Sequence, residues 1–351
     1  MPTPTIPAGN LFMNATLYTG TGVGSRVITN GVAGASFQPD FVWLKNRTSP
    51  YSHQTNDSVR GATNGCLYTD LTYAVDANFG ITSFNSNGFT LGNTASLISQ
   101  SFGSQNGTGD NYVGWQWKAG GTAVTNTSGT ISSQVSANTT SGFSVVTYTG
   151  SGTGGATVGH GLGVAPSFIA IKSRSSTESW QNYHVSLGAT KAIFLNLSQG
   201  FTTSNVYFND TSPTSSVFSL GTGTQANGNG TTYVAYCWSQ IAGYSAFGSY
   251  TGNGSADGPF IYTGFRPRFV LLKRTDTSED WVVYDTARDP YNTSQYILYP
   301  NGSYAESSGY ALDILSNGFK LRNTVTSNNA SGGTYIYAVF AENPFKYANA
   351  R

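Results

Sequence analysis

Short apolar or alternating runs follow one another along this chain, parted by clusters of Gly, Asn, Ser and Asp. Segments 41–45 (FVWLK), 88–92 (GFTLG), 216–221 (SVFSLG), 232–236 (TYVAY) and 318–322 (GFKLR) are examples. Period-two patterning bounded by turn residues predicts half-buried or buried β-strands. Helical spacing is nearly absent, so at most a short helical turn is expected around 57–62 and 285–290.

The strands recur in a fixed order. Segments 37–47 (FQPDFVWLKNR), 164–174 (VAPSFIAIKSR) and 265–275 (FRPRFVLLKRT) share Pro, a spacer, an aromatic, three largely apolar residues and Lys. A Tyr-Thr-Gly precedes each copy (18–20, 148–150, 250–252), and a strand-like run ending in an aromatic follows each (111–117, 232–238, 334–340). A period near 100 residues is too long for a solenoid unit, which spans about 20 to 50. The pattern predicts an all-β protein of three tandem β-sandwich domains. The expected divisions are an extended arm (1–15), domain 1 (16–118), a polar linker (119–142), domain 2 (143–240), domain 3 (241–344) and a tail (345–351). The linker alternates Ile131 and Val135 before Phe143 and Val145, so short paired strands are expected there. A propeller fits less well, because each repeat is about twice the size of a blade.

Composition narrows the classes. Charged residues are 9% of the chain, against about 25% in ordinary soluble domains. Aromatic residues at 14% and hydrophobic residues at 38% exclude a disordered tract. With 17 basic and 16 acidic residues there is no basic stripe to suit nucleic acid. No run of 18 apolar residues predicts a membrane span, and residues 1–15 lack the pattern of a secretory signal. Cys66 and Cys237 fall at unmatched positions of different repeats, which predicts free, buried thiols.

Candidate chemistry clusters after the signature lysines Lys45, Lys172 and Lys273. Twelve residues on stand Asp57, His184 and Asp285, and three further Arg60, Leu187 and Arg288. Lys, Asp and Arg together suit an anion or sugar site, or a structural ion pair. Repeat 2 departs from the pattern, which favours structure. Eight residues after each lysine come His53, Trp180 and Trp281, with Tyr183 and Tyr284 beyond. Trp and Tyr beside polar groups can stack on a sugar ring, although a Trp kept in two copies equally suits packing. The candidate binding residues are therefore Trp180, Tyr183, His184, Trp281, Tyr284, Asp285 and Arg288. Domain 2 offers only Glu178 and Asp210 as carboxylates, too few for a glycosidase pair there. The three histidines keep no metal-ligand spacing, and no nucleophile elbow occurs. Neither catalytic residues nor a cofactor or metal is expected.

Segments 249–292, 316–322 and 337–351, with 41–65 and 158–176, resemble the repeated domain of bacteriophage tail-fibre and related virion proteins. The resemblance implies lectin-like sandwich domains of jelly-roll, concanavalin/laminin-G-like kind, residence on a virion after synthesis in the host cytoplasm, and binding of host-surface polysaccharide without catalysis. A capsid decoration or head-fibre protein is the alternative, and a polysaccharide depolymerase the second. Other virion proteins are the expected partners through the Pro-rich arm. A homotrimer is one assembly open to a fibre, although no heptad stalk is present.

Overall fold

The computed structural model describes residues 9–30, 36–77, 80–92 and 104–342. Most of the N-terminal arm and the tail 345–351 lie outside the described residues. The chain is nearly all β, with antiparallel sheets throughout and a few four-residue helices among the described residues.

Each repeat builds one large inner sheet in the order opening, closing, signature and loop strand. The opening strands are Met13–Thr19, Phe143–Thr149 and Ser245–Thr251. The closing strands are Asn111–Trp117, Thr232–Trp238 and Thr334–Ala341. The signature strands are Phe41–Asn46, Phe168–Ser173 and Pro267–Arg274, followed by the loop strands Gln54–Asp57, Gln181–His184 and Trp281–Asp285. A small sheet covers the outside of each large one. It is formed by Val27–Thr29, Gly88–Leu91 and Ile81–Asn85 in repeat 1 and by Ala156–Gly159 with Val217–Leu220 in repeat 2. In repeat 3 it comprises Phe260–Tyr262, Gly318–Leu321 and Leu312–Leu315. The polar linker is structured: Val124–Asn126 and Ser133–Asn138 add two strands to the edge of the second large sheet.

Signature strands are apolar at successive positions because both faces of the large sheet are covered. In repeat 1, Val42 and Leu44 pack outward with Ile28, Phe89 and Leu91, while Phe41 and Trp43 turn the other way. Repeat 2 divides likewise, Ile169 and Ile171 outward, Phe168 and Ala170 inward. The inward residues of all three repeats meet in one core. At its centre stand the equivalent ends of the closing strands, Trp117, Trp238 and Phe340. Their ring centroids lie 6.1, 6.5 and 5.5 Å apart, a triangle of equivalent residues. In-register Phe41, Phe168 and Phe269 pack against it. The repeats are thus arranged with pseudo-threefold symmetry around a shared core. A rod of separate beads would leave these inner faces open to water, at about 25 cal/mol per Å² of apolar surface.

Candidate functional site

The residues that the copies share converge where one repeat meets the next. Each signature lysine is buried and donates from Nζ to a backbone carbonyl of a neighbour. Lys45 reaches Ser303 O at 3.0 Å, Lys172 reaches Thr72 O at 3.0 Å and Lys273 reaches Ser198 O at 3.0 Å. These acceptors are themselves equivalent, each four residues after Tyr299, Tyr68 and Phe194. The neighbour returns a bond seven residues after the same aromatic. Glu306 N donates to Arg47 O at 2.9 Å, Val75 N to Arg174 O at 3.0 Å and Phe201 N to Thr275 O at 3.1 Å. Repeat 1 therefore clasps repeat 3, repeat 2 clasps repeat 1, and repeat 3 clasps repeat 2, which closes a ring of contacts.

Burial pushes the amines of Lys45 and Lys172 down to about 7 and that of Lys273 to about 8, partly opposed by nearby Asp70, Glu178 and Asp280 respectively. Unfolded lysine titrates near 10.4, so between about pH 7 and 10 the unfolded chain holds more protons and stability rises with pH. Burial raises Tyr18, Tyr148 and Tyr250, whose contribution is lost above about pH 10. Urea midpoints are expected to climb from about pH 6 to about pH 9, and the triple variant K45M/K172M/K273M to flatten that climb. An equally steep climb in the triple variant would refute the assignment.

The position twelve residues after each lysine makes the second set of contacts. Asp57 holds the Arg60 guanidinium and accepts from Tyr236 Oη of repeat 2 at 2.8 Å. Asp285 holds Arg288 and accepts from Trp115 Nε1 of repeat 1 at 3.0 Å, with Arg288 stacked over the Trp115 ring. Burial works against the charge on Asp285, yet Arg288 and the bonds to it hold the carboxyl below its usual range. His184 faces repeat 3, where Ala338 stands in place of Tyr236 and Trp115. With no side-chain donor to meet, His184 bonds the Tyr337 carbonyl through Nε2 at 3.0 Å, and its Nδ1 accepts from Ser186 N at 3.1 Å. Burial pushes that imidazole down to about 4, so it is neutral. A neutral residue needs no counter-ion, which accounts for Leu187 in the place of arginine. The departure in repeat 2 is thus a concerted exchange dictated by the facing residue.

None of the seven residues expected to contact glycan lies on an exposed surface. Trp180 and Trp281 are 1% exposed and donate across joints, to Tyr68 O at 2.7 Å and Phe194 O at 2.9 Å. In repeat 1, His53 takes their place and its Nδ1 accepts from Trp43 Nε1 at 3.0 Å. Tyr183 packs on Phe208 beneath the outer layer, and Tyr284 accepts from Asn328 Nδ2 at 2.7 Å. The joints bury Trp180, Trp281, His184, Asp285 and Arg288, whereas Tyr183 and Tyr284 point the other way and are covered by the outer layer of their own repeat.

Three asparagines complete the shared set. Asn106, Asn227 and Asn329 each stand six residues before the closing tyrosine, a spacing visible in the sequence. All are buried, and their Oδ1 atoms accept from the backbone N of Thr21, Ser151 and Asn253 at 3.0, 2.9 and 3.0 Å. They pin the loop after each Tyr-Thr-Gly. The tyrosine there stacks on the closing tyrosine, at 5.0 Å for Tyr18 and Tyr112, 5.2 Å for Tyr148 and Tyr233, and 4.9 Å for Tyr250 and Tyr335. Glycine is required at 20, 150 and 252, where a Cβ would collide with the carbonyl oxygens of Gly107, Gly228 and Ala330.

Cys66 and Cys237 are buried and free. Burial and then Asp76 push the Cys66 thiol up to about 12, so it is protonated near neutrality. A cleft of about 460 Å³ opens beside Asp40, Lys118, Gly120 and Asn138 at the junction of repeats 1 and 2. Its carboxylate is engaged by Ser58 Oγ at 2.8 Å and Ala119 N at 2.7 Å.

The fold and its joints define a class: an all-β protein in which three diverged repeats of one chain close around a common core. The chain belongs to the family described as domain of unknown function DUF7483, whose model matches residues 8–344 and spans all three repeats. No curated protein and no solved structure matches the chain.

Proposed function

We propose that this protein is a non-catalytic structural component of a bacteriophage particle, a tail-fibre or host-recognition part that contacts host-surface glycan. The observation that carries this reading is the threefold closure within one chain, a closed symmetry that matches the homotrimer expected of a fibre from the resemblance. The resemblance of segments 41–65, 158–176 and 249–292 to virion proteins and the weakly charged, Asn-, Ser- and Thr-rich composition agree with it.

The single chain supplies the three lobes that a fibre otherwise assembles from three copies. Sedimentation of the purified protein is therefore expected to give a monomer of 37.1 kDa. A stable species of three times that mass would contradict this part of the reading.

Antibody labelling of intact particles, paired with incubation on host polysaccharide, tests the function. Label at the tail with bound but uncleaved glycan supports it. Label on the head transfers the protein to the capsid-decoration reading, release of reducing ends makes it a depolymerase, and absence from purified particles overturns the virion assignment.

A further inference from the structure

We propose that Tyr299, Tyr304 and Tyr310, at the joint of repeats 3 and 1, form a binding platform for an uncharged pyranose chain. This rests on the glycan-contact reading above and supplies it with a site, since the residues first expected there are buried.

The cluster is stepped. Tyr304 is 61% exposed and stands edge-on to Tyr299, at 5.7 Å and 81°. Tyr299 meets Tyr310 at 6.3 Å, and their hydroxyls bond at 2.9 Å. Stacking tyrosines elsewhere in the fold, such as Tyr112 and Tyr233, are fully buried. Leaving an aromatic ring largely in water while Tyr299, itself fixed by Tyr310, stands edge-on against it is an arrangement suited to a ligand's apolar face. A pyranose has such a face, ringed by hydroxyls that keep their hydrogen bonds to water and to the polar rim.

The platform is fixed before any ligand arrives. Ser303 O accepts from Lys45 Nζ, and Thr69 Oγ1 donates to Pro300 O at 2.7 Å. Glu306 is held between Arg47 at 2.8 Å and Arg288 at 2.9 Å. The backbone carrying Tyr304 is thus tied to repeat 1 on both sides, so binding costs little loop ordering.

The chemistry of the segment selects an uncharged ligand. Residues 290–305 contain no charged side chain. The carboxylate of Asp280 beside them is bonded by Asn301 Nδ2, and Glu306 by its two arginines, so no cation is presented to an acidic sugar. Among the described residues, this stepped arrangement occurs in repeat 3. Tyr73 occupies the place of Tyr304 in repeat 1, but Tyr68 there is buried with its hydroxyl on Asp76, and repeat 2 has Gln199.

The test is affinity electrophoresis of the full chain in gels containing neutral polysaccharides (glucan, mannan, galactan) or acidic ones (alginate, hyaluronan). Retardation by at least one neutral chain is expected. Tyr304→Ala should weaken it at least tenfold without shifting the melting temperature, Tyr304→Trp should keep it, and Tyr262→Ala, at an exposed tyrosine elsewhere on repeat 3, should leave it unchanged. Undiminished binding by Tyr304→Ala, or binding of acidic chains alone, overturns this site and leaves the glycan-contact reading standing. Binding of neither set overturns both, while particle labelling still decides the virion assignment.

Discussion

Trp238→Ala is expected to lower the unfolding free energy of the whole chain by about 3–5 kcal/mol. Its side chain is 6% exposed and stands in the central triangle, touching Trp117 of repeat 1 and Phe340 of repeat 3 as well as Phe143 and Phe168 of its own. Removing the indole opens a cavity that no single repeat can close, because its walls come from all three. The loss should appear in one cooperative transition, with tryptophan fluorescence and far-ultraviolet dichroism moving together in urea. A variant in which repeats 1 and 3 keep the parent midpoint while repeat 2 melts early would refute the shared core.

The second large effect is expected at the charged joint. Arg288→Leu should cost about 3–5 kcal/mol, since it leaves Asp285 buried without its partner. Trp115 Nε1 still donates to that carboxylate, but one neutral donor does not replace a guanidinium that also bonds Val283 O at 2.8 Å and Glu306 at 2.9 Å. Adding Asp285→Asn removes the stranded charge while keeping an oxygen for Trp115. The double variant should therefore recover a measurable part of the loss, so the two substitutions couple. Additive destabilisation in the urea-melt cycle would show that the pair is not the unit described here.

Much of the fold was legible before any coordinates. Alternation and turn residues predict the strands around Phe41–Asn46 and Thr232–Trp238, and both are present, as are the paired strands in the linker. The kept Pro-to-Lys and closing segments mark scaffold, and they lie at the centre of the large sheets. What alternation does not disclose is the partner of a buried face. Phe41 and Trp43 read as core, but whether they are covered by their own repeat or by the next is a matter of tertiary placement. The joint acceptors are backbone carbonyls of Ser303, Thr72 and Ser198, and a carbonyl leaves no mark in side-chain identity. For that reason Lys45, Lys172 and Lys273 resembled a ligand site. The spacing that singles out Trp180 and Trp281 suits a sugar platform and a packed joint alike, and the joint is where both indoles donate. The asparagines at 106, 227 and 329 keep a readable register, yet in a chain this rich in Asn they do not stand out until their burial is seen.

Closure of the ring also bears on how such a chain can change. An open array of domains can gain or lose a copy at either end and keep every remaining contact. Here a fourth copy would have no vacant neighbour, and a lost copy would strip two others, so duplication is arrested at three. Because the copies are encoded separately, each must fit only the two faces beside it. One lobe can then keep a histidine and leucine where the others keep aspartate and arginine, and one can carry a tyrosine loop that three identical subunits would be obliged to repeat.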